Sequence, residues 1–140
     1  MQRIQTARIQ ATIFAGLFAV IFSACADGEL KHGVSFKTPK DGTTVSQEFR
    51  VEMEVKGMKV NKAGPVVEGT GHFHLIIDNG YTPKGRVVPR DATHKHFGKG
   101  QIEAELKLAP GAHTLTLQFA NGQHVSYGKE WSKTIHITVK

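Results

Sequence analysis

The chain has 140 residues, of which 39% are hydrophobic and 21% charged. This composition excludes a disordered tail and a polytopic membrane protein, and the length allows one domain. A single cysteine excludes an internal disulfide and a cysteine-cluster zinc or iron–sulfur site. Lys and Arg outnumber Asp and Glu by 18 to 12, and the eight histidines are the surplus that a function has to explain.

The first 24 residues have the three-part pattern of a secretory signal peptide. Residues 1–10 carry Arg3 and Arg8 without an acidic residue, residues 11–22 are almost entirely apolar, and small residues follow. The apolar run is shorter than the about 20 residues that a membrane-spanning helix needs. We therefore predict that residues 1–24 are a signal peptide that is removed on export.

The end of this segment, Phe22-Ser23-Ala24-Cys25, resembles the lipobox of bacterial lipoproteins, in which the cysteine becomes the lipidated first residue. Lipidation of Cys25 also removes an unpaired thiol from an oxidising compartment. Ordinary cleavage near Ala24 or Ala26, leaving a free thiol, is the alternative. In bacterial lipoproteins an Asp directly after the cysteine often signals retention in the inner membrane, and here Ala26 takes that position. We therefore predict a lipid anchor at the periplasmic face of the outer membrane, with residues 25–33 as a tether.

From residue 34 onward, apolar and polar side chains alternate with a period of two, which is typical of β-strands. Turn sequences rich in Gly, Pro and Asn separate the alternating segments. Each segment is apolar on one face, which favours two sheets packed face to face. We predict that residues 34–140 form an all-β, immunoglobulin-like β-sandwich of about seven strands, with a small β-barrel as the alternative. The six clearest segments lie at residues 34–37, 49–56, 73–77, 101–108, 115–119 and 134–139.

Two His-x-His pairs are the candidates for a metal site. His72 and His74 lie two residues apart on a predicted strand and so share one face, about 6–7 Å apart. His94 and His96 repeat this spacing in a loop or short edge strand. If the second pair folds over the first, the imidazoles can share one metal ion, and an all-nitrogen set suits copper or zinc. The predicted ligands are His72, His74 and His96, completed by His94 or His124.

Catalysis has less support in the sequence than binding. The chain contains no Gly-x-Ser-x-Gly, HExxH or P-loop motif. A metal-dependent hydrolase would also need a carboxylate base near the histidines, and no motif recommends one. We therefore expect a non-catalytic protein and keep a hydrolase as a distant alternative.

A basic segment beside the second histidine pair suggests another function. Residues 84–99 hold five basic residues and one acidic residue, a net charge of +4. An exported protein does not meet genomic DNA, so we expect no nucleic-acid partner. The alternative function is a binding or adhesion module for an anionic envelope polymer or an envelope protein. Its contact residues would be Lys84, Arg86, Arg90, Lys95 and Lys99.

Three motifs in order identify a family resemblance: Gly71-His72-Phe73-His74-Leu75, then His94-Lys95-His96-Phe97-Gly98, then Pro110-Gly111-Ala112-His113-Thr114. Together they resemble the bacterial domain-of-unknown-function family numbered 4399, from about residue 34 to 140. Members are typically small exported proteins, and the resemblance implies no activity. The histidines that it assigns to the family pattern are His72, His74, His96, His113 and His124. The strand pattern itself favours a hydrogen-bonded role for His113 at the edge of the core.

Overall fold

The computed structural model describes residues 31–140, so the predicted signal peptide and Cys25 lie outside the described residues. Within residues 31–140 no helix is long and apolar enough to cross a membrane. A single turn of 3-10 helix occupies Lys129–Trp131. The strands of the described part are β1 (Gly33–Thr38), β2 (Thr43–Val45), β3 (Glu48–Lys56), β4 (Lys59–Val60), β5 (Thr70–Ile77), β6 (His94–His96), β7 (Glu103–Lys107), β8 (Gly111–Ala120) and β9 (Ser132–Val139).

These strands form two sheets. The first has the order β1-β3-β7 and is antiparallel. The second has the order β2-β9-β8-β5-β4, and β6 also pairs with β5. Its long central pairs, β5 with β8 and β8 with β9, are antiparallel. The all-β prediction is confirmed. The strand count is higher than predicted because β2, β4 and β6, with two or three residues each, are too short to show a period of two.

The main core lies between the two sheets, where the apolar faces of the alternating segments meet. Burial of each such side chain contributes about 1.5–3 kcal/mol. The first sheet supplies Val34, Phe36, Phe49, Val51, Met53 and Leu106, and the second supplies Phe73, Leu75, Ile77, Leu115, Leu117, Phe119, Ile135, Ile137 and Val139. The molecule is therefore a β-sandwich with one continuous core.

The outer face of the β5–β8 pair is buried as well, although its residues are largely polar. The segments that follow β5 and β8 cover it. Gln118 forms hydrogen bonds to both segments. Its Oε1 accepts the N–H of Thr82, after β5, at 3.1 Å, and its Nε2 donates to the carbonyl of Gly128, after β8, at 3.1 Å. The fully buried residues of this face are His72, His74, Ile76, Thr116, Gln118 and Ala120.

Candidate metal centre

Four imidazoles meet at one end of the β5–β8 pair. His72 and His74 come from β5, His96 from β6, and His124 from the loop after β8. The ring centroids of all six pairs lie between 4.7 and 5.8 Å apart. His72 Nε2 lies 3.1 Å from His74 Nε2, and His96 Nε2 lies 3.0 Å from His124 Nε2. We call these four residues the histidine cluster.

The pairing of β6 with β5 brings the second His-x-His motif to the first. His96 lies directly opposite His74 in this antiparallel pair, and Lys95 lies opposite Leu75. Residues that face each other across such a pair project to the same side of the sheet. Ring nitrogens of His72, His74 and His96 consequently lie within 4.8 Å of one another, so these three histidines can hold a metal ion.

Gly98 makes room for the His96 ring. A Cβ atom at Gly98 would lie 2.2 Å from Cε1 and 2.4 Å from Nε2 of His96, well inside van der Waals contact. The φ angle of Gly98 is not in the left-handed region, so the glycine is required by space rather than by backbone conformation. Sequence reasoning gave Gly98 no role, because a glycine next to a motif does not reveal which ring packs on it.

His124 reaches the cluster through an unusual backbone conformation. Its φ is 67°, a region that residues other than glycine rarely adopt. Asn121 stabilises this turn, since its side-chain Oδ1 accepts the N–H groups of Gln123 at 2.9 Å and Val125 at 3.0 Å. Its backbone carbonyl accepts the N–H of His124 at 2.9 Å. A strained residue that its surroundings hold in place is a common feature of functional sites.

The two histidines of β5 are buried without sufficient hydrogen-bond partners. Both have 0% of their surface exposed. Two neutral imidazoles can share only one N–H···N hydrogen bond, and no partner meets Nδ1 of His72 or His74. These are the only two buried side-chain nitrogen or oxygen atoms in residues 31–140 that lack a partner. An unsatisfied buried polar group costs about 1–3 kcal/mol, so the burial of these two imidazoles needs an explanation beyond the packing of the core.

The cluster favours neutral imidazoles. Burial, with the nearby His96 and His124, lowers the pKa of His72 to about 4. Burial and the neighbouring rings lower the pKa of His74 to about 2. Burial, together with His124 and Arg90, also lowers the pKa of His96. At pH 7 these three rings are uncharged, and the neutral ring is the form that offers a lone pair to a metal.

His94, the other candidate for the fourth ligand, lies outside the histidine cluster. It faces Ile76 across the β5–β6 pair. Its Nδ1–H donates to Oδ1 of Asp91 at 2.8 Å, so this ring nitrogen is already engaged. Of the two residues that the sequence left open for this position, the structure brings His124 into the cluster.

The remaining candidates are distributed over the surface. His113 hydrogen-bonds Oδ2 of Asp78 at 2.8 Å and the carbonyl of Ala109 at 2.9 Å, which fits its expected structural role. The five basic side chains of residues 84–99 are all exposed. None of them forms an ion pair within residues 31–140.

Comparison with known proteins identifies a family without an assigned activity. The family model described as "Domain of unknown function (DUF4399)" matches residues 51–140, a range that contains the whole histidine cluster. No curated protein and no solved structure matches the chain. The match covers more than half of the sequence and confirms the resemblance seen in the motifs, so the chain belongs to the DUF4399 family.

Proposed function

We propose that this protein binds one divalent transition-metal ion, copper or zinc, at the histidine cluster without catalysing a reaction. The convergence of four imidazoles from three separate parts of the chain carries the proposal. Imidazole nitrogens bound to one tetrahedral zinc ion at about 2.0–2.1 Å lie about 3.3 Å apart. The Nε2 separations of 3.0 and 3.1 Å are shorter than that by about 0.2–0.3 Å, so shifts of a few tenths of an ångström suffice to bind an ion.

The polar chemistry of the cluster also favours a bound ion. His72 and His74 are fully buried and cannot satisfy each other's ring nitrogens. A metal ion would accept the lone pairs of both Nε2 atoms, where a hydrogen bond uses only one of them. No carboxylate of residues 31–140 joins the three-histidine group, and a metal hydrolase would need such a base.

Metal stoichiometry tests the proposal. We expect protein comprising residues 26–140 to retain about one zinc or copper ion per chain after desalting, as measured by inductively coupled plasma mass spectrometry. His72→Ala/His74→Ala should abolish retention, because it removes two of the ligands. His136→Ala is the matched control, since the His136 side chain is 74% exposed and lies outside the cluster. Retention that survives the double substitution would show that the ion binds elsewhere.

We further propose that the protein is a lipoprotein of the cell envelope, anchored through Cys25 at the periplasmic face of the outer membrane. The signal-peptide pattern of residues 1–24 and the sequence Phe22-Ser23-Ala24-Cys25 support this proposal. Cells producing the full chain should yield protein that partitions into detergent and sediments with outer membranes. Cys25→Ser should move the protein to the soluble fraction, and an unchanged distribution would contradict lipid anchoring.

The basic segment supports a second candidate function, binding of an anionic envelope polymer. All five of its cationic side chains are exposed and none is paired with a described carboxylate, so they are free to meet an external anion. Binding to purified lipopolysaccharide should weaken steeply as salt is raised and should not respond to a chelator. Replacement of Lys84, Arg86 and Arg90 by Gln should weaken it further. Binding that a chelator abolishes would instead connect it to the histidine cluster.

A further inference from the structure

We infer that the histidine cluster is built for a tetrahedral Zn(II) ion whose four coordination positions are all filled by protein, rather than for square-planar Cu(II) or Ni(II). This inference rests on the proposed metal binding and specifies the ion and its coordination. It follows from the relative positions of the four rings, which distinguish a tetrahedron from a square.

The two geometries require different ring separations. An imidazole bound through Nε2 at 2.0–2.1 Å has its ring centroid about 3.2 Å from the ion. In a tetrahedral site all six centroid separations are then equal, at about 5.2 Å. In a square-planar site four separations are about 4.5 Å, and the two diagonals are about 6.4 Å.

The observed separations correspond to a tetrahedron with one lengthened edge. Five of the six lie between 4.7 and 5.1 Å. The sixth, between His74 and His124, is 5.8 Å. If this were a diagonal of a square, the other two rings would have to form an equally long diagonal. Those rings, His72 and His96, are only 5.0 Å apart.

The surrounding structure opposes flattening of the cluster. His72 and His74 project from β5, which is hydrogen-bonded to β8 on one side and to β4 and β6 on the other. The His96 ring lies against Gly98, where even a Cβ atom would overlap it. Close-packed interiors resist such rearrangement, so an ion that prefers a square has to distort this frame or accept poor geometry.

The donor atoms select zinc among ions that accept a tetrahedron. Cu(I) does so, but thiolate and thioether sulfur select that ion. The cluster contains imidazole alone, and the methionines Met53 and Met58 belong to the core or pack against it. Four protein ligands leave no position for water, as in structural zinc sites and unlike catalytic ones. The inferred role is therefore retention of zinc rather than zinc-dependent hydrolysis.

Cobalt and nickel binding tests the geometry. In a pliable all-nitrogen site Ni(II) binds more tightly than Co(II). We expect the reverse here, with a dissociation constant for Ni(II) at least about tenfold larger than that for Co(II), which accepts tetrahedral coordination readily. The Co(II) protein should show the intense visible absorption of a four-coordinate ion and lose it when Zn(II) is added. A pale six-coordinate spectrum, or tighter Ni(II) binding, would overturn the tetrahedral assignment while leaving metal binding intact.

A matched variant tests whether the site is closed. Azide should not change the Co(II) spectrum of the unmodified protein, because no position is open to it. His124→Ala removes the one ligand that lies outside β5 and β6, so azide should change the spectrum of that variant. An azide response of the unmodified protein would overturn the four-ligand assignment. No uptake of Co(II), Ni(II) or Zn(II) by the unmodified protein would instead overturn the metal-binding proposal as a whole.

Discussion

Two histidine sites lie at opposite ends of the β5–β8 strand pair. At one end, His113 contacts Asp78, and both of its ring nitrogens meet an oxygen, at 2.8 and 2.9 Å. At the other end, the Nε2 atoms of His72 and His74 meet each other, and their Nδ1 atoms meet nothing. A histidine whose two ring nitrogens both meet oxygen atoms has a structural explanation, whereas Nε2 atoms that meet only each other can both direct their lone pairs at a metal ion.

The two sites also differ in charge. Hydrogen bonds to Asp78 and to the Ala109 carbonyl raise the pKa of His113, which favours the doubly protonated ring. Burial lowers the pKa values of His72 and His74 and favours the neutral ring. A cationic imidazole cannot bind a metal and a neutral one can, so electrostatics divide the histidines as the hydrogen bonds do.

The largest expected effect is stabilisation by the metal. At a free zinc concentration 1,000 times its dissociation constant, a ligand specific for the folded state adds about 4 kcal/mol to the free energy of unfolding. Thermal unfolding with and without zinc should show a clear rise in melting temperature. His72→Ala/His74→Ala should eliminate this rise, and His113→Ala should retain it despite a lower starting stability. An equal zinc-induced rise in melting temperature in both variants would contradict the assignment of metal binding to the histidine cluster.

The next effect isolates the position of His96. Gly98→Ala places a methyl group where the ring now lies, so the ring has to move. Loss of a residue that orients a metal ligand typically weakens metal affinity about 10- to 100-fold, which is what we expect in a zinc competition titration. Gly80→Ala is the matched control, because nothing lies within 4 Å of its Cβ position. Unchanged affinity of Gly98→Ala would show that the His96 ring is not held where metal binding needs it.

The alternation of apolar and polar residues allowed the core and the β5 part of the site to be predicted, for a clear physical reason. Alternation along β5 places Phe73 in the core and the histidines on either side of it on the opposite face. The burial of that opposite face could not be predicted, because the segments that cover it have no periodicity. Spacing alone also could not choose between His94 and His124 for the fourth ligand. The difference depends on Asp91, which engages the His94 ring, and on the turn held by Asn121, which presents His124.

A pH-dependent effect should mark the structural site. The folded-state pKa of His113 lies above the unfolded value of about 6.5, so its stabilisation is complete below that value and is lost as pH rises through the folded-state pKa. His113→Gln should lower the free energy of unfolding by about 1–2 kcal/mol at pH 6 and by less at pH 8. Denaturant unfolding at both pH values checks this. A deficit that grows with pH would contradict the ion pair, and zinc stoichiometry should be unchanged throughout.

The smallest expected effect concerns the turn that presents His124. Asn121→Ala removes the Oδ1 acceptor of two backbone N–H groups and leaves the backbone bond to His124 in place. The turn should loosen, with a loss of about 1 kcal/mol in stability. Zinc affinity should fall only a few-fold, because three ligands remain fixed on β5 and β6. Asn79→Ala, at an exposed position, provides the control. If Asn121→Ala instead weakens zinc as strongly as His124→Ala does, the turn is held by its side chain alone. If Asn121→Ala leaves the zinc affinity unchanged, the backbone hydrogen bond from His124 to Asn121 suffices to hold the left-handed conformation of His124. The positions of the ligands on β5 and β6 then determine the zinc affinity.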